Sequence, residues 1–223
     1  MPGSLVGDSR NNVDDRERQV HLRNALAAHY AHPRGTLGAV AGIAMAHHRG
    51  ARACGRWVLD TLTPGPRARV LEIGYGPGVT LAETCRRVPD GQMAGVDSSP
   101  LMRRQAARRT ARFATTGLLD LRHGDTIDLD PDLREFDLIY GIDIWQHWPD
   151  PDRIIADLAT RLRAAGQLSL AHTRASPSTL TPGAAAKRLA EAFAATQLVH
   201  IGTEWMPRTP AAILVTGHRP AIT

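Results

Sequence analysis

The sequence predicts an α/β fold: a seven-stranded, mostly parallel sheet with helices on both faces, an antiparallel last strand and a helical segment at the N-terminus. Three observations predict it. From position 69 onward, short runs of β-branched residues and leucine alternate with amphipathic stretches of about ten residues, the pattern of strand–helix–strand crossovers. The first of these runs empties into glycines at alternate positions, Gly74, Gly76 and Gly78, as a strand does when it turns sharply into a helix. The last two extended runs lie too close together for both to be parallel, because a parallel pair needs a crossover of about a dozen residues.

The elements follow in order. Residues 1–20 are polar and offer little apolar surface to offset the entropy of ordering. Helical patterning occupies 20–31 and 37–62, interrupted at His32, Pro33, Arg34 and Gly35, and a turn cluster at Thr63, Pro64, Gly65 and Pro66 ends it. The division is therefore 1–62, tail and helical segment, and 63–223, the sheet domain. Strands are expected at 69–73, 92–96, 118–123, 136–142 and 166–171, with helices at 79–87, 100–116 and 152–162 between them. Helix 183–196 leads to strand 197–202, a bend around Pro207 and Pro210, and strand 212–218, which must run antiparallel at or near the sheet edge.

Composition narrows the function classes. The longest apolar runs fall well short of the ~20 residues of a membrane span, and residues 1–23 contain no apolar signal core, so a cytoplasmic protein without membrane attachment is expected. Cys54 and Cys85 form no CxxC pair, which argues against a disulfide framework or a zinc site, and Cys85 reads as a buried structural thiol. The net charge of +5 comes almost wholly from arginine, Lys187 being the one lysine. Arg103, Arg104, Arg108, Arg109 and Arg112 recur at helical spacing and read as a solvated helix face rather than a nucleic-acid footprint. Aromatic residues are 4% of the chain, few for stacking single-stranded RNA, so nucleic acid is not the expected partner. His29, Tyr30 and His32, and His47 and His48, lack a carboxylate or cysteine to complete a metal site, and no metal is expected.

The chemistry concentrates in Val70-Leu71-Glu72-Ile73-Gly74-Tyr75-Gly76-Pro77-Gly78. The spacing is GxGxG, whereas a dinucleotide-binding turn prefers GxGxxG with a pyrophosphate at the helix N-terminus. Glu72, two residues before the first glycine, repels a diphosphate and favours a cation. S-adenosylmethionine carries a sulfonium and an α-ammonium.

These residues begin a resemblance to the class I S-adenosylmethionine-dependent methyltransferases, whose first motif is an acidic residue followed by GxGxG. It continues in order through Met93 to Asp97, His123-Gly124-Asp125, Phe136-Asp137-Leu138-Ile139-Tyr140, His147-Trp148-Pro149-Asp150-Pro151 and Leu162-Arg163-Ala164-Ala165-Gly166-Gln167-Leu168. The match covers about two-thirds of the chain and is similar to the small-molecule branch that includes ubiquinone- and menaquinone-biosynthesis enzymes. It implies a Rossmann-like sheet, S-adenosylmethionine as cofactor, S-adenosylhomocysteine as product and O- or N-methylation of a small molecule, with a specialised-metabolite role in view. It also implies cofactor contacts from Glu72, Gly74, Tyr75, Gly76, Gly78 and Gly141. Asp97 would hold the ribose hydroxyls, Ser98 and Leu101 would border the adenine, and Gly124, Asp125 and the Thr126 amide would meet its polar edge. For any one aspartate the competing reading is a helix cap or turn former.

Catalysis leaves less trace, because aligning the methyl with a lone pair supplies much of the rate and a base is needed only when the nucleophile holds a proton. Candidates are Tyr140, Asp143 and His147 at the rim after the fourth strand, and His172 and Arg174 after the fifth. Small-molecule members of this family cover the cofactor with an N-terminal helical segment or an insertion after the fifth strand, and 174–182 is too short for a domain, so the resemblance implies a helical lid from 27–57; Trp145, Trp148, Trp205 and Met206 are candidates to line an acceptor pocket or to be core. An RNA methyltransferase is the rival suggested by the arginine excess, and a protein that binds the cofactor without methyl transfer is the other. A monomer or homodimer is expected.

Overall fold

The computed structural model describes residues 49–174, 180–207 and 212–221. Most of the lid segment 27–57, and the histidines at 29, 32, 47 and 48, lie outside them. The described part of that segment belongs to helix α1 (Arg49–Leu62), which buries Cys54, Val58 and Leu62 at four-residue spacing. Gly55 lies directly against the side chain of Thr80 on α2 (Val79–Arg87), so the two helices pack with little between them.

Three further helices start alike. Ser99, Asp150 and Thr181 each accept a backbone N–H through the side chain (Met102 at 3.3 Å, Arg153 at 3.1 Å, Ala184 at 3.2 Å), and each is followed by proline in the first turn. These open α3 (Pro100–Thr115), α4 (Pro151–Thr160) and α5 (Pro182–Ala194).

The strands are β1 (Arg69–Ile73), β2 (Gln92–Asp97), β3 (Leu119–His123), β4 (Phe136–Ile142), β5 (Leu162–Thr173), β6 (Val199–Trp205) and β7 (Ala212–His218). They form one seven-stranded sheet in the order β3-β2-β1-β4-β5-β7-β6. The pairs from β3 to β5 are parallel, and β7 runs antiparallel to both β5 and β6. The antiparallel last strand is as expected, one position in from the edge.

Alternation along the strands divides the core in two. Leu71, Ile73, Ile139, Leu168 and Leu170 face α4 and α5. Val70, Met93, Leu138, Tyr140 and Leu214 face the side of α1, α2 and α3. Both faces of the sheet are therefore covered, and its carboxyl edge is left to the loops.

Two boundaries differ from expectation. Helix α4 stops at Thr160 and β5 begins at Leu162 rather than at 166. Arg161 supplies the stop: its guanidinium donates to the carbonyls of Asp130, Leu133 and Leu129 at 2.8, 3.0 and 3.0 Å. A register shift between Phe136 and Leu138 then absorbs the extra residues before Gly166. Strand β6 starts and ends later than the expected 197–202, because Thr196 turns the chain by accepting from Leu198 N at 3.1 Å and because β7 pairs with it as far as Trp205.

Candidate functional site

Strands β1 to β5 deliver their carboxyl ends to one edge, the place where open parallel sheets hold ligands. The loop leaving β1 is held open by backbone conformation: Gly74, Gly76 and Gly78 have φ of 71°, 51° and 77°. Two of them are also packed. A Cβ at Gly74 would lie 2.8 Å from Ile144 Cδ1, and one at Gly78 would lie 2.8 Å from the Ala106 Cβ. Gly76 differs, since a Cβ there would meet nothing within 4 Å among the described residues. The loop thus presents bare backbone to open space at its middle glycine. Tyr75 turns the other way, buried against Gly95, and its hydroxyl donates to the Arg122 carbonyl at 2.9 Å. From α3, the Arg109 guanidinium donates to the Pro77 carbonyl and fixes the far side of the turn.

Glu72 is buried beneath this loop, 4% exposed, and its Oε2 has no hydrogen-bond partner among the described residues. Burial pushes its carboxyl up to about 8, the nearby Asp97 charge adds to the rise, and a hydrogen bond from Tyr140 offsets part of it. An orphaned carboxylate oxygen in a dry site is costly unless a donor or cation meets it. With a bare glycine backbone above, this arrangement fits a cationic ligand and not a diphosphate.

Tyr140 requires a correction. It is not at the rim. Strand alternation puts it on the face of α2, fully buried, with its hydroxyl 2.7 Å from Thr84 Oγ1. Burial and the neighbouring Glu72 raise its pKa well above the ordinary 10, so it stays a neutral hydroxyl beside Glu72. Thr84, which completes this pair, left no signal in the sequence beyond a small polar residue on a buried helix face.

Asp97 ends β2 half-buried and does two things. Its Oδ2 accepts from Gly76 N and its Oδ1 from Ser99 N, both at 2.8 Å, tying the glycine loop to the start of α3. Ser98 is exposed between them, its carbonyl 3.0 Å from His123 Nε2, and Gly124 N donates to the Asp97 carbonyl at 3.1 Å. Asp125 is exposed and caps a single 3-10 turn through Ile127 N at 3.3 Å, with Thr126 buried behind it. Ile127, which sequence reasoning missed, is 39% exposed there and gives this end of the site an apolar surface. Gly141 is buried, and a Cβ there would meet Ile144 Cγ2 at 2.7 Å, so close packing of the turn after β4 also requires it.

At the ends of β4 and β5, Asp143 has a left-handed backbone, φ 51°, and a half-buried side chain. Its Oδ1 accepts from Thr173 N at 2.7 Å and its Oδ2 from Thr173 Oγ1 at 2.6 Å. His172 is fully buried, its ring centroid 5.7 Å from that of Trp145, with Nε2 3.4 Å from the Leu180 carbonyl and Nδ1 unpartnered among the described residues. It is the penultimate residue of β5, and its ring packs at a tilt against Trp145. His147 is half-buried in a 3-10 turn (Trp145–His147), its N donating to the Ile144 carbonyl at 3.0 Å. Trp145 and Trp148 belong to the core, whereas Trp205 is 55% exposed and Met206 packs at the margin of the other core. Both cysteines are buried free thiols raised to about 12, Cys54 in part by the charge of Asp143. Among the described residues no His, Cys, Asp and Glu cluster suits a metal ion, and no helix is long and apolar enough to cross a membrane.

Known proteins are similar in part of the sequence and in fold. Residues 70–166 match the family model for the methyltransferase domain. The nocamycin O-methyltransferase of Saccharothrix syringae is 31% identical over 121 residues, 53% of this chain and 42% of that protein. Among solved structures, the [4+2]-cyclase SpnF superposes with a TM-score of 0.63 at 16% identity, covering 79% of this chain and 86% of that one. The Haemonchus contortus phosphoethanolamine N-methyltransferase 2, in complex with S-adenosyl-L-methionine, reaches 0.66 at 14% identity, covering 84% and 58%. The chain spans under half the length of the curated relatives it matches. By that match residues 70–166 are similar to a methyltransferase domain, and the sheet shares the fold of these solved structures.

Proposed function

We propose that this protein binds S-adenosylmethionine at the Gly74–Gly78 turn and transfers its methyl group to an oxygen or nitrogen of a small molecule. One observation carries the reading: the unpartnered Oε2 of Glu72 lies under a loop whose middle glycine faces open space. When bound, the cofactor supplies an electrophilic methyl on a sulfonium. Glu72 offers the negative charge for its cationic end, and Tyr140 orients that carboxylate. Each oxygen of Asp97 accepts one backbone N–H, which fixes the carboxylate at the end of β2, where the ribose hydroxyls would meet it. Ser98, Gly124, Asp125, the Thr126 amide and the exposed Ile127 border the adenine. Gly74, Tyr75, Gly78 and Gly141 serve the site by shaping the turn. His147 and His172 are left as residues that support the acceptor side.

Thermal shift with S-adenosylhomocysteine, NAD and ATP in parallel tests the cofactor. A ligand at a hundredfold excess over its dissociation constant stabilises by about 2.7 kcal/mol. A rise in Tm with the first and none with NAD is expected; no response to the first, or an equal one to NAD, removes the reading. The fold shared with a [4+2]-cyclase favours a second reading, cofactor binding without transfer. Product analysis with methyl-labelled cofactor and a panel of phenols, carboxylic acids and amines separates the two, since only transfer releases S-adenosylhomocysteine with a labelled acceptor. An RNA acceptor is the less favoured alternative, because Arg103, Arg104 and Arg108 are spread along a solvated helix face. Tight, salt-sensitive tRNA binding would revive it.

A further inference from the structure

A second carboxylate at the same edge, Asp143, makes no ion pair among the described residues, although the charge of the neighbouring His172 imidazole reaches it. It sits at the end of β4 beside the glycine turn, and the next residue, Ile144, rests on Gly74. Its backbone is left-handed, which costs a non-glycine residue about 1 kcal/mol, and such strain gathers at functional sites. Three bonds hold it there: Asp143 N to the Ala171 carbonyl at 3.0 Å, and the two from Thr173 to its carboxylate. All three tie it to β5, on the side away from β1. Each carboxylate oxygen accepts one bond and keeps a free lone pair. Glu72 serves the β1 side of the edge and Asp143 the β4–β5 side, with Cys54 of α1 close to it.

We infer that Asp143, held by Thr173, is the acceptor-side base: it hydrogen-bonds a nucleophile that carries a proton on oxygen or nitrogen and takes that proton as the methyl is transferred. The inference rests on the cofactor reading above. In the step, the lone pair of the acceptor heteroatom forms the bond to the methyl carbon, and the carbon–sulfur bond breaks with its electrons going to sulfur. The heteroatom's proton passes to the Asp143 carboxylate. The acceptor class is thus a hydroxyl or an amine that bears an N–H, and a nucleophile without a proton to lose gains nothing from this residue.

Sinefungin probes the position without an acceptor, because it carries an amine-bearing carbon in place of the methyl-bearing sulfur. Calorimetry of sinefungin and S-adenosylhomocysteine is compared on the wild type, Asp143→Asn and Thr173→Val. The wild type should prefer sinefungin. Asp143→Asn should cut that preference about tenfold, a difference of about 1.4 kcal/mol, with S-adenosylhomocysteine binding unchanged. Asparagine tolerates the left-handed backbone, so the fold should survive. Should it not, Thr173→Val, which keeps the charge and loosens it, must still lower the preference. An unchanged ratio in the variants, or an equal loss of both ligands, overturns the inference while leaving the cofactor reading intact. Absence of binding by either nucleoside to the wild type overturns both.

Discussion

Tyr140 stands directly opposite Glu72 in the β1–β4 ladder and bonds it, while the same hydroxyl meets Thr84 Oγ1 at 2.7 Å. The acid of the glycine motif is therefore oriented by a buried hydroxyl pair, and one of its oxygens is kept for something outside the protein.

That relationship makes cofactor binding pH-dependent. With its carboxyl raised to about 8, Glu72 is mainly protonated at pH 6 and must lose the proton to face a cation. Affinity for S-adenosylhomocysteine should rise between pH 6 and 8, by at most about tenfold per unit, with proton release on binding. Calorimetry in buffers of different ionisation enthalpy reads both. Glu72→Gln should flatten the slope.

The ligand-free protein should show the opposite trend. An acid whose pKa is higher folded than unfolded stabilises the fold fully below its ordinary value of 4.5, and that stability is lost as pH rises through about 8. The Tm of the ligand-free protein should carry a falling component across this window, which Glu72→Gln removes.

Substitutions in the glycine turn should separate fold from binding. Gly78→Ala drives a Cβ into Ala106 at 2.8 Å and should lower stability by about 1–3 kcal/mol. Gly76→Ala carries only the left-handed backbone cost of about 1 kcal/mol, and its methyl meets none of the described residues within 4 Å. It should retain most of its Tm and lose most of its S-adenosylhomocysteine affinity, as denaturant melts and calorimetry would show.

Much of this was legible in the sequence because local chemistry decides it. The Gly74–Gly78 turn and the close spacing of the last two strands each have one physical solution. What escaped depends on partners distant in sequence. The start of β5 hangs on Arg161 reaching three carbonyls of the loop before β4, and the strain at Asp143 on Thr173 in the next strand. The burial of Tyr140 was accessible in principle, since counting by twos from Leu138 puts it on the α2 face with Glu72 and not at the edge.

Asp97 and Asp125 should respond differently. Asp97→Asn sets an amide against a backbone N–H at Gly76 or Ser99, so it should lose loop anchoring as well as ribose contact, with binding reduced more than tenfold and a lower Tm. Asp125 is exposed and makes one long cap bond, so Asp125→Ala should leave stability within about 0.5 kcal/mol while still weakening S-adenosylhomocysteine. Parallel melts and titrations of the two variants check the contrast.

Tyr140→Phe isolates the buried hydroxyl pair. The ring keeps its packing, and Thr84 keeps its own bond to the Thr80 carbonyl at 3.0 Å, so no donor on the helix is orphaned. The loss falls on Glu72, whose charged form the tyrosine favours, and its pKa should climb further above 8. Stability at pH 6, where Glu72 is protonated, should change by about 1 kcal/mol. Affinity for S-adenosylhomocysteine at pH 7 should drop, and the rise of affinity with pH should move to higher pH, because the carboxylate now needs a more alkaline solution to ionise. A variant whose binding curve stays on that of the wild type across the whole range would mean that Tyr140 packs against Glu72 without tuning it.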